Sequence, residues 1–283
     1  MQIKDVAVLG SGIMGHGIAE VAAIAGYKVN LYDLNDDILS KAIVRIKDSL
    51  SRLEKSGKIK EGQGTEVIGN IRCYTDIKSA VSNVDLVIEA VPEVLQLKMD
   101  IFRQLDQLCS PHTILTTNTS GLSITLIGSK TARRDKIIGT HFFNPVVIMR
   151  LVEIICGMET SPETLKTIEE FCRSIGKDTV VCKKDRHGFI TTRLIAAQRV
   201  EAFRILEEGI ATIEDIDKAV RLAFNHPMGP FELADFNGVD TGLRVLEDLQ
   251  AVYGDRYRPP QFLKHMVECN YLGRKAGKGF YQY

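Results

Sequence analysis

The sequence predicts an α/β fold: a doubly wound sheet domain over residues 1–184, then a smaller all-helical domain over residues 185–283. Three observations predict it. The apolar run Val6–Leu9 leads straight into Gly10-Ser11-Gly12-Ile13-Met14-Gly15, and an acid, Asp33, closes the next apolar run. Through the first half, short apolar runs alternate with segments of helical period. After Cys182 the alternation stops and only helical patterns remain. A chain of 283 residues is long enough for two domains.

The opening unit reads as strand, glycine turn, helix (Ile13 to Ala25), second strand (Lys28 to Tyr32) and carboxylate. Each part has a physical task. Gly10 permits the tight turn, Gly12 keeps a side chain away from an approaching pyrophosphate, and Gly15 lets the helix pack on the sheet. The helix N-terminus then offers N–H groups and a partial positive charge to phosphates. Asp33 accepts from ribose hydroxyls and repels a 2′-phosphate. The expected ligand is therefore NAD rather than NADP, bound to a Rossmann-type domain through Gly10, Ser11, Gly12, Ile13, Met14, Gly15 and Asp33.

Asp36 to Lys55 carries Ile38, Leu39, Ile43, Ile46 and Leu50 at helical spacing, and the glycine-spaced stretch Ser56 to Gly64 reads as a mobile connection. A short strand is expected near Ile71 and a buried one at Asp85–Ala90. A helix from Leu95 to Leu108 follows, then strands at Thr113–Thr117, Lys136–Thr140, Arg150–Ile155 and Thr179–Cys182. The boundary is placed near Lys183 to His187. Helices are expected at Phe189–Glu208, Ile213–Ala223, Val239–Tyr253 and Pro260–Asn270.

Composition excludes several classes. The 36 basic and 36 acidic residues balance, so no general attraction to nucleic acid or an acidic membrane is expected. No apolar run approaches the ~18 residues of a membrane span, and the N-terminus lacks the pattern of a signal peptide. Cys73, Cys109, Cys156, Cys172, Cys182 and Cys269 are scattered without a C-x-x-C pair. They read as buried or half-buried thiols of a cytoplasmic protein, with no metal site.

Polar residues at the ends of the later strands carry the chemistry. Asn118-Thr119-Ser120-Gly121 follows one strand, His141 with Phe142-Phe143-Asn144-Pro145 follows the next, and Glu153 lies twelve residues on. Ligands of a doubly wound sheet bind at these strand ends. On residue type alone, His141 could be a core histidine, Glu153 a surface carboxylate, and Ser120 a helix cap ahead of Leu122–Ile127.

At this point the chain resembles the L-3-hydroxyacyl-CoA dehydrogenase family, particularly its prokaryotic 3-hydroxybutyryl-CoA members. The motifs are Gly10–Gly15, Glu89-Ala90-Val91-Pro92-Glu93, Asn118-Thr119-Ser120, His141–Pro145, Pro227-Met228-Gly229-Pro230-Phe231-Glu232-Leu233 and Gly277-Lys278-Gly279-Phe280-Tyr281. The resemblance implies oxidation of the 3-hydroxyl of an acyl-CoA thioester with NAD as hydride acceptor. It makes His141 the general acid/base and Glu153 its partner, with Ser120 on the substrate oxygen. Such proton transfer is worth ~10²–10⁴-fold in rate. Further cofactor contacts carried over are Glu93, Lys98, Ser120, Asn144 and Arg274, the last in place of a usual lysine. Glu93 and Lys98 could otherwise be an exposed pair at a helix start. Acyl-CoA contacts carried over are Ser49, Ser120, Asn144 and a basic residue after Ser49, taken as Lys55 with Lys58 as second choice.

One departure stands out. The family pattern Pro-Gly-Phe-Ile-x-Asn-Arg reads His187-Gly188-Phe189-Ile190-Thr191-Thr192-Arg193 here. Thr192 keeps a hydroxyl but loses the amide, so reduced turnover is expected, and an NAD-binding protein with little turnover is the alternative. His187 reads as an exposed linker residue. Dehydrogenases of the 6-phosphogluconate type, another β-hydroxyacid class, place a lysine base on the first helix of the second domain. Phe189–Gln198 holds Arg193 but no lysine. Apolar Phe231, Leu233, Phe236 and Val239, with the resemblance, predict a homodimer.

Overall fold

The structure, a computed structural model, describes residues 2–283. The chain divides into two compact units, one ending at Arg186 and one running from His187 to Tyr283. The division lies two residues beyond the expected 184. Asp185 belongs to the first unit, where its carboxylate accepts from Ser123 Oγ (2.6 Å) and Thr125 N (2.8 Å).

The first unit is one eight-stranded sheet flanked by helices. In chain order its elements are β1 (Asp5–Leu9), α1 (Ile13–Ile24), β2 (Lys28–Tyr32), α2 (Asp36–Lys55), α3 (Gln63–Gly69), β3 (Ile71–Tyr74), α4 (Ile77–Val81), β4 (Leu86–Glu89), α5 (Leu95–Leu108), β5 (Ile114–Thr117), α6 (Ile124–Gly128), β6 (Ile137–Phe142), β7 (Leu151–Cys156), α7 (Pro162–Ser174) and β8 (Asp178–Cys182). The strand order is β3-β2-β1-β4-β5-β6-β7-β8. It reverses direction of growth between β1 and β4, the place where a doubly wound sheet opens a crevice. Strands β4, β5 and β6 are buried along their whole length, as expected of a sheet covered on both faces.

Six strands run parallel and the last two run against them. The β6–β7 connection, residues 143–150, is shorter than the roughly dozen residues a parallel crossover needs, so β7 returns antiparallel. Helix α7 then supplies the crossover that sets β8 parallel to β7. This reversal sets His141 directly opposite Glu153 in the ladder.

The second unit contains α8 (Thr191–Glu207), α9 (Ile213–Phe224), α10 (Pro230–Asn237), α11 (Val239–Tyr253) and α12 (Gln261–Glu268). Its core gathers Phe203, Phe231, Leu246 and Leu249, with Phe280 packed 4.8 Å from Phe231 between ring centroids.

Several expectations are corrected. Gln63 and Gly64 begin helix α3 rather than ending a connection. Helices α4, α7 and α10 were not among the expected elements, and the segment Leu122–Ile127, weighed as a helix behind Ser120, forms α6 over Ile124–Gly128. Helix α8 starts at Thr191, because Gly188 (φ 74°) and Phe189 (φ 47°) are left-handed and cannot continue a right-handed helix. His187 is half-buried, with its carbonyl accepting from Tyr253 OH at 3.0 Å. Phe231 and Val239 are buried inside the helical unit, so they are core rather than contact surface; Phe236 is 48% exposed. All six cysteines are free thiols, but Cys73 and Cys269 are exposed.

Candidate active site

The glycine turn is built as tightly as its sequence implies. Gly10 has φ +89°, and a Cβ there would stand 2.7 Å from the Ala90 carbonyl oxygen at the end of β4. A Cβ on Gly15 would collide with the Gly10 carbonyl, so its constraint comes from the turn itself. A Cβ on Gly12 would meet nothing within 4 Å. The space in front of Gly12 is therefore open, as a pyrophosphate requires. Gly12 is the N-cap of α1, no side chain caps that end, and the first turn carries no acid. Ile13 is exposed at the rim while Met14 packs on the core. Asp33 closes β2 and binds the loop: its Oδ2 accepts from Ser11 N (2.7 Å) and Ser11 Oγ (2.8 Å), and its Oδ1 from Leu34 N (2.8 Å). An anion-receptive helix end, an open position at Gly12 and a carboxylate past the second strand fit a dinucleotide.

Next to this loop, β4 and β5 deliver a polar cluster. Lys98, on the first turn of α5, is 1% exposed, and its Nζ donates to Glu89 Oε1 (2.6 Å) and the Val91 carbonyl (3.3 Å). It also lies 3.4 Å from Glu93 Oε2. The picture of an exposed Glu93–Lys98 pair is thus overturned on the lysine side. Glu89 is wholly buried, and burial pushes its carboxyl pKa up against the opposing pull of Lys98, Thr117 and Val91 N. Glu93 Oε1 accepts from Thr119 Oγ1 (2.5 Å), Ser120 N (2.9 Å) and Ser120 Oγ (3.3 Å). Ser120 is therefore held by Glu93 and does not cap α6. Ser123 does, accepting from Leu126 N.

His141 lies inside β6, 8% exposed, and Glu153 faces it from β7 at 0% exposure. Nδ1 of His141 is 2.8 Å from Glu153 Oε2. Glu153 is therefore no surface carboxylate. A carboxylate at Nδ1 holds the neutral imidazole with Nδ1 protonated and the ring lone pair on Nε2. Phe143 covers the ring at 4.4 Å between centroids, and Asn118 Oδ1 accepts from Phe142 N (2.9 Å), fixing the strand end.

Ser49 and Asn144 are brought together. Both line a cavity of about 200 Å³ in the first unit, with Glu20, Arg45, Asp48 and Arg52. Lys55 and Lys58 are exposed and do not line it; its arginines are Arg52 and Arg45, about one and about three turns before Lys55 on α2. Thr192 lies in the first turn of α8 in the helical unit. Arg274, also in that unit, stacks on Phe236 (5.4 Å) and Tyr283 (5.1 Å).

Two residues escaped the sequence reading. Glu89 entered only within a buried strand and the motif Glu89–Glu93, with no role of its own. Glu20 was visible as one carboxylate within the apolar run Ile18–Ala23 of α1. Among the described residues no group of His, Cys, Asp and Glu could hold a metal ion.

Comparison with known proteins agrees with this geometry. Residues 5–186 match the 3-hydroxyacyl-CoA dehydrogenase NAD binding domain, and residues 188–283 match the 3-hydroxyacyl-CoA dehydrogenase C-terminal domain. The chain is 42% identical to a probable 3-hydroxybutyryl-CoA dehydrogenase of Bacillus subtilis, covering 100% of this chain and 98% of that one. It is 41% identical to the mitochondrial hydroxyacyl-coenzyme A dehydrogenase of Rattus norvegicus, over 99% of this chain and 91% of the relative. The solved structure of (S)-3-hydroxybutyryl-CoA dehydrogenase PaaH1 from Ralstonia eutropha superposes with a TM-score of 0.95 at 39% identity, covering 100% of this chain and 99% of that one. The chain belongs to the 3-hydroxyacyl-CoA dehydrogenase family and is an NAD-dependent oxidoreductase.

Proposed function

We propose that this protein interconverts (S)-3-hydroxybutyryl-CoA and acetoacetyl-CoA, with His141 as general acid/base and Glu153 as its partner. The observation that carries the reading is the buried pairing of His141 Nδ1 with Glu153 Oε2 at 2.8 Å, in the same sheet as the dinucleotide loop. Bound NAD supplies the hydride acceptor.

In the oxidative direction His141 Nε2 takes the proton of the 3-hydroxyl as the C3 hydrogen leaves as hydride. In the reverse direction it returns a proton to the forming alkoxide. Glu153 holds the ring in the tautomer this requires and stabilises the imidazolium that forms. Glu93 holds Ser120 through its backbone N–H, and the Ser120 hydroxyl turns its one hydrogen from Glu93 to the substrate oxygen, where charge develops. Glu93, Lys98, Asn144 and Arg274 complete the cofactor contacts in this proposal, and Ser49 and Asn144 those of the acyl-CoA. Thr192, where the family has asparagine, orients the substrate carbonyl with its single hydroxyl, less firmly than an asparagine would. The protein works in the cytoplasm as a homodimer.

The test is oxidation of NADH with acetoacetyl-CoA, followed at 340 nm. The wild-type protein consumes NADH rapidly, and His141→Gln loses ~10²–10⁴-fold in kcat while still binding NADH. NADH binding without consumption by the wild type would overturn the reading. In the same assay Thr192→Asn raises kcat; a large loss would mean the site is adapted to threonine.

A further inference from the structure

The cavity that holds Ser49 and Asn144 contains a group that the proton-transfer chemistry does not use. It is lined by Glu20 of α1, by Arg45, Asp48, Ser49 and Arg52 of α2, and by Asn144 just past β6. Asn144 follows His141 by three residues, so the cavity lies at the His141 end of that strand.

Glu20 is 1% exposed, and its Oε1 is a buried oxygen with no hydrogen-bond partner among the described residues. Buried polar atoms are nearly always paired, and one left unpaired costs the full loss of its hydration. The neighbours on the same helix, Ile18, Ala19, Val21, Ala22 and Ala23, are all buried and apolar. A leucine or methionine at position 20 would serve packing better. An unmatched acceptor kept in an apolar helix, on the wall of a cavity, calls for a donor that arrives from outside. The pantetheine arm of an acyl-CoA carries two amide N–H donors along an otherwise flexible chain.

Resting on the acyl-CoA reading above, we propose that Glu20 is a specificity-determining residue, whose Oε1 accepts a hydrogen bond from an amide N–H of the pantetheine arm as it passes Ser49. The carboxyl reads the carrier rather than the acyl group. It therefore separates CoA thioesters from small thioesters of the same acyl chain.

The experiment compares steady-state kinetics on acetoacetyl-CoA and on the S-methyl thioester of acetoacetate, which has no amide, at saturating NADH. Glu20→Leu raises KM for acetoacetyl-CoA about tenfold, with kcat and the KM for the methyl thioester changed less than twofold. Glu20→Gln, which keeps an acceptor oxygen at the same reach, restores the wild-type KM for acetoacetyl-CoA. Glu20→Met replaces the leucine variant if that one does not fold. An unchanged KM for acetoacetyl-CoA in the apolar variant, or an equal rise for both thioesters, overturns the proposal. Absence of turnover in the wild type is a separate result, and it overturns the dehydrogenase reading itself.

Discussion

Burial pushes the pKa of Glu20 from an ordinary value near 4.5 up to about 7, against a hydrogen bond with Ser49 and the charge of Arg52. The charged and titratable groups around it are His16 on the same helix and Arg45, Asp48 and Arg52 on α2. Between those two pH values the folded chain holds a proton that the unfolded chain releases. Its contribution to stability is therefore full at about pH 4.5 and below, and falls as pH rises toward 7. Glu20→Gln removes that titration. The stability difference between variant and wild type should shift in the variant's favour by about 3 kcal/mol between pH 4.5 and pH 8. Urea unfolding at both pH values measures it, and a difference that does not change with pH would refute the assignment. The lone carboxylate in Ile18–Ala23 was readable as an anomaly in the sequence. Its task was not, because the facing side chains of α2 and the β6–β7 connection come together only in the fold.

Elements show a similar division between what local pattern carries and what packing adds. Strand β1, helix α1 and strand β2 were legible because alternation of apolar runs, glycines at a turn and a closing acid all act locally. Helices α3, α4 and α6 are short, and isolated helices of that length do not form on propensity alone. They exist because packing on the sheet holds them. Helix α7 had a local signal, Ser161 capping and Pro162 at its first position, yet it falls between two strands that together read as a continuing sheet. The facing of His141 and Glu153 depended on the antiparallel return of β7, which the sequence suggested only through a short connection. Helix α10 is held from outside. Asp217 of α9, 0% exposed, accepts from Phe231 N (2.9 Å), Glu232 N (3.0 Å) and Tyr281 OH (2.8 Å). It caps the start of α10 and ties down the C-terminal motif together. Any Cβ at Gly229 would collide with it. Asp217→Ala strands three donors and should cost about 3 kcal/mol, lowering Tm by on the order of 10 °C. Tyr281→Phe removes one of the three and should cost about 1 kcal/mol. Calorimetry on the two variants decides this, and equal losses would show that the tyrosine, not the helix cap, dominates.

At the scale of the whole molecule, the surface that the fold leaves bare points to self-association. Helix α9 buries Ile216 and Asp217 but presents Leu222 (76% exposed) and Phe224 (64%) at its far end. On the same helical unit Leu194, Ile210 and Val252 are each more than half exposed. Large apolar side chains are costly to leave in water, and contact between two copies would cover them. The balanced charge, 36 basic against 36 acidic residues, opposes pairing of two copies little. The sequence pointed to Phe231, Leu233, Phe236 and Val239 for this purpose, but Phe231 and Val239 are spent on the unit's own core, which moves the expected contact to the exposed end of α9. The chain mass is 31.5 kDa, so light scattering at micromolar concentration should give about twice that. Replacing Leu222 and Phe224 together with aspartate should shift the mass to that of one chain while leaving NADH binding intact, since neither is among the proposed cofactor contacts. A wild-type mass of one chain would remove the dimer. A double variant that stays dimeric would place the contact elsewhere on the helical unit.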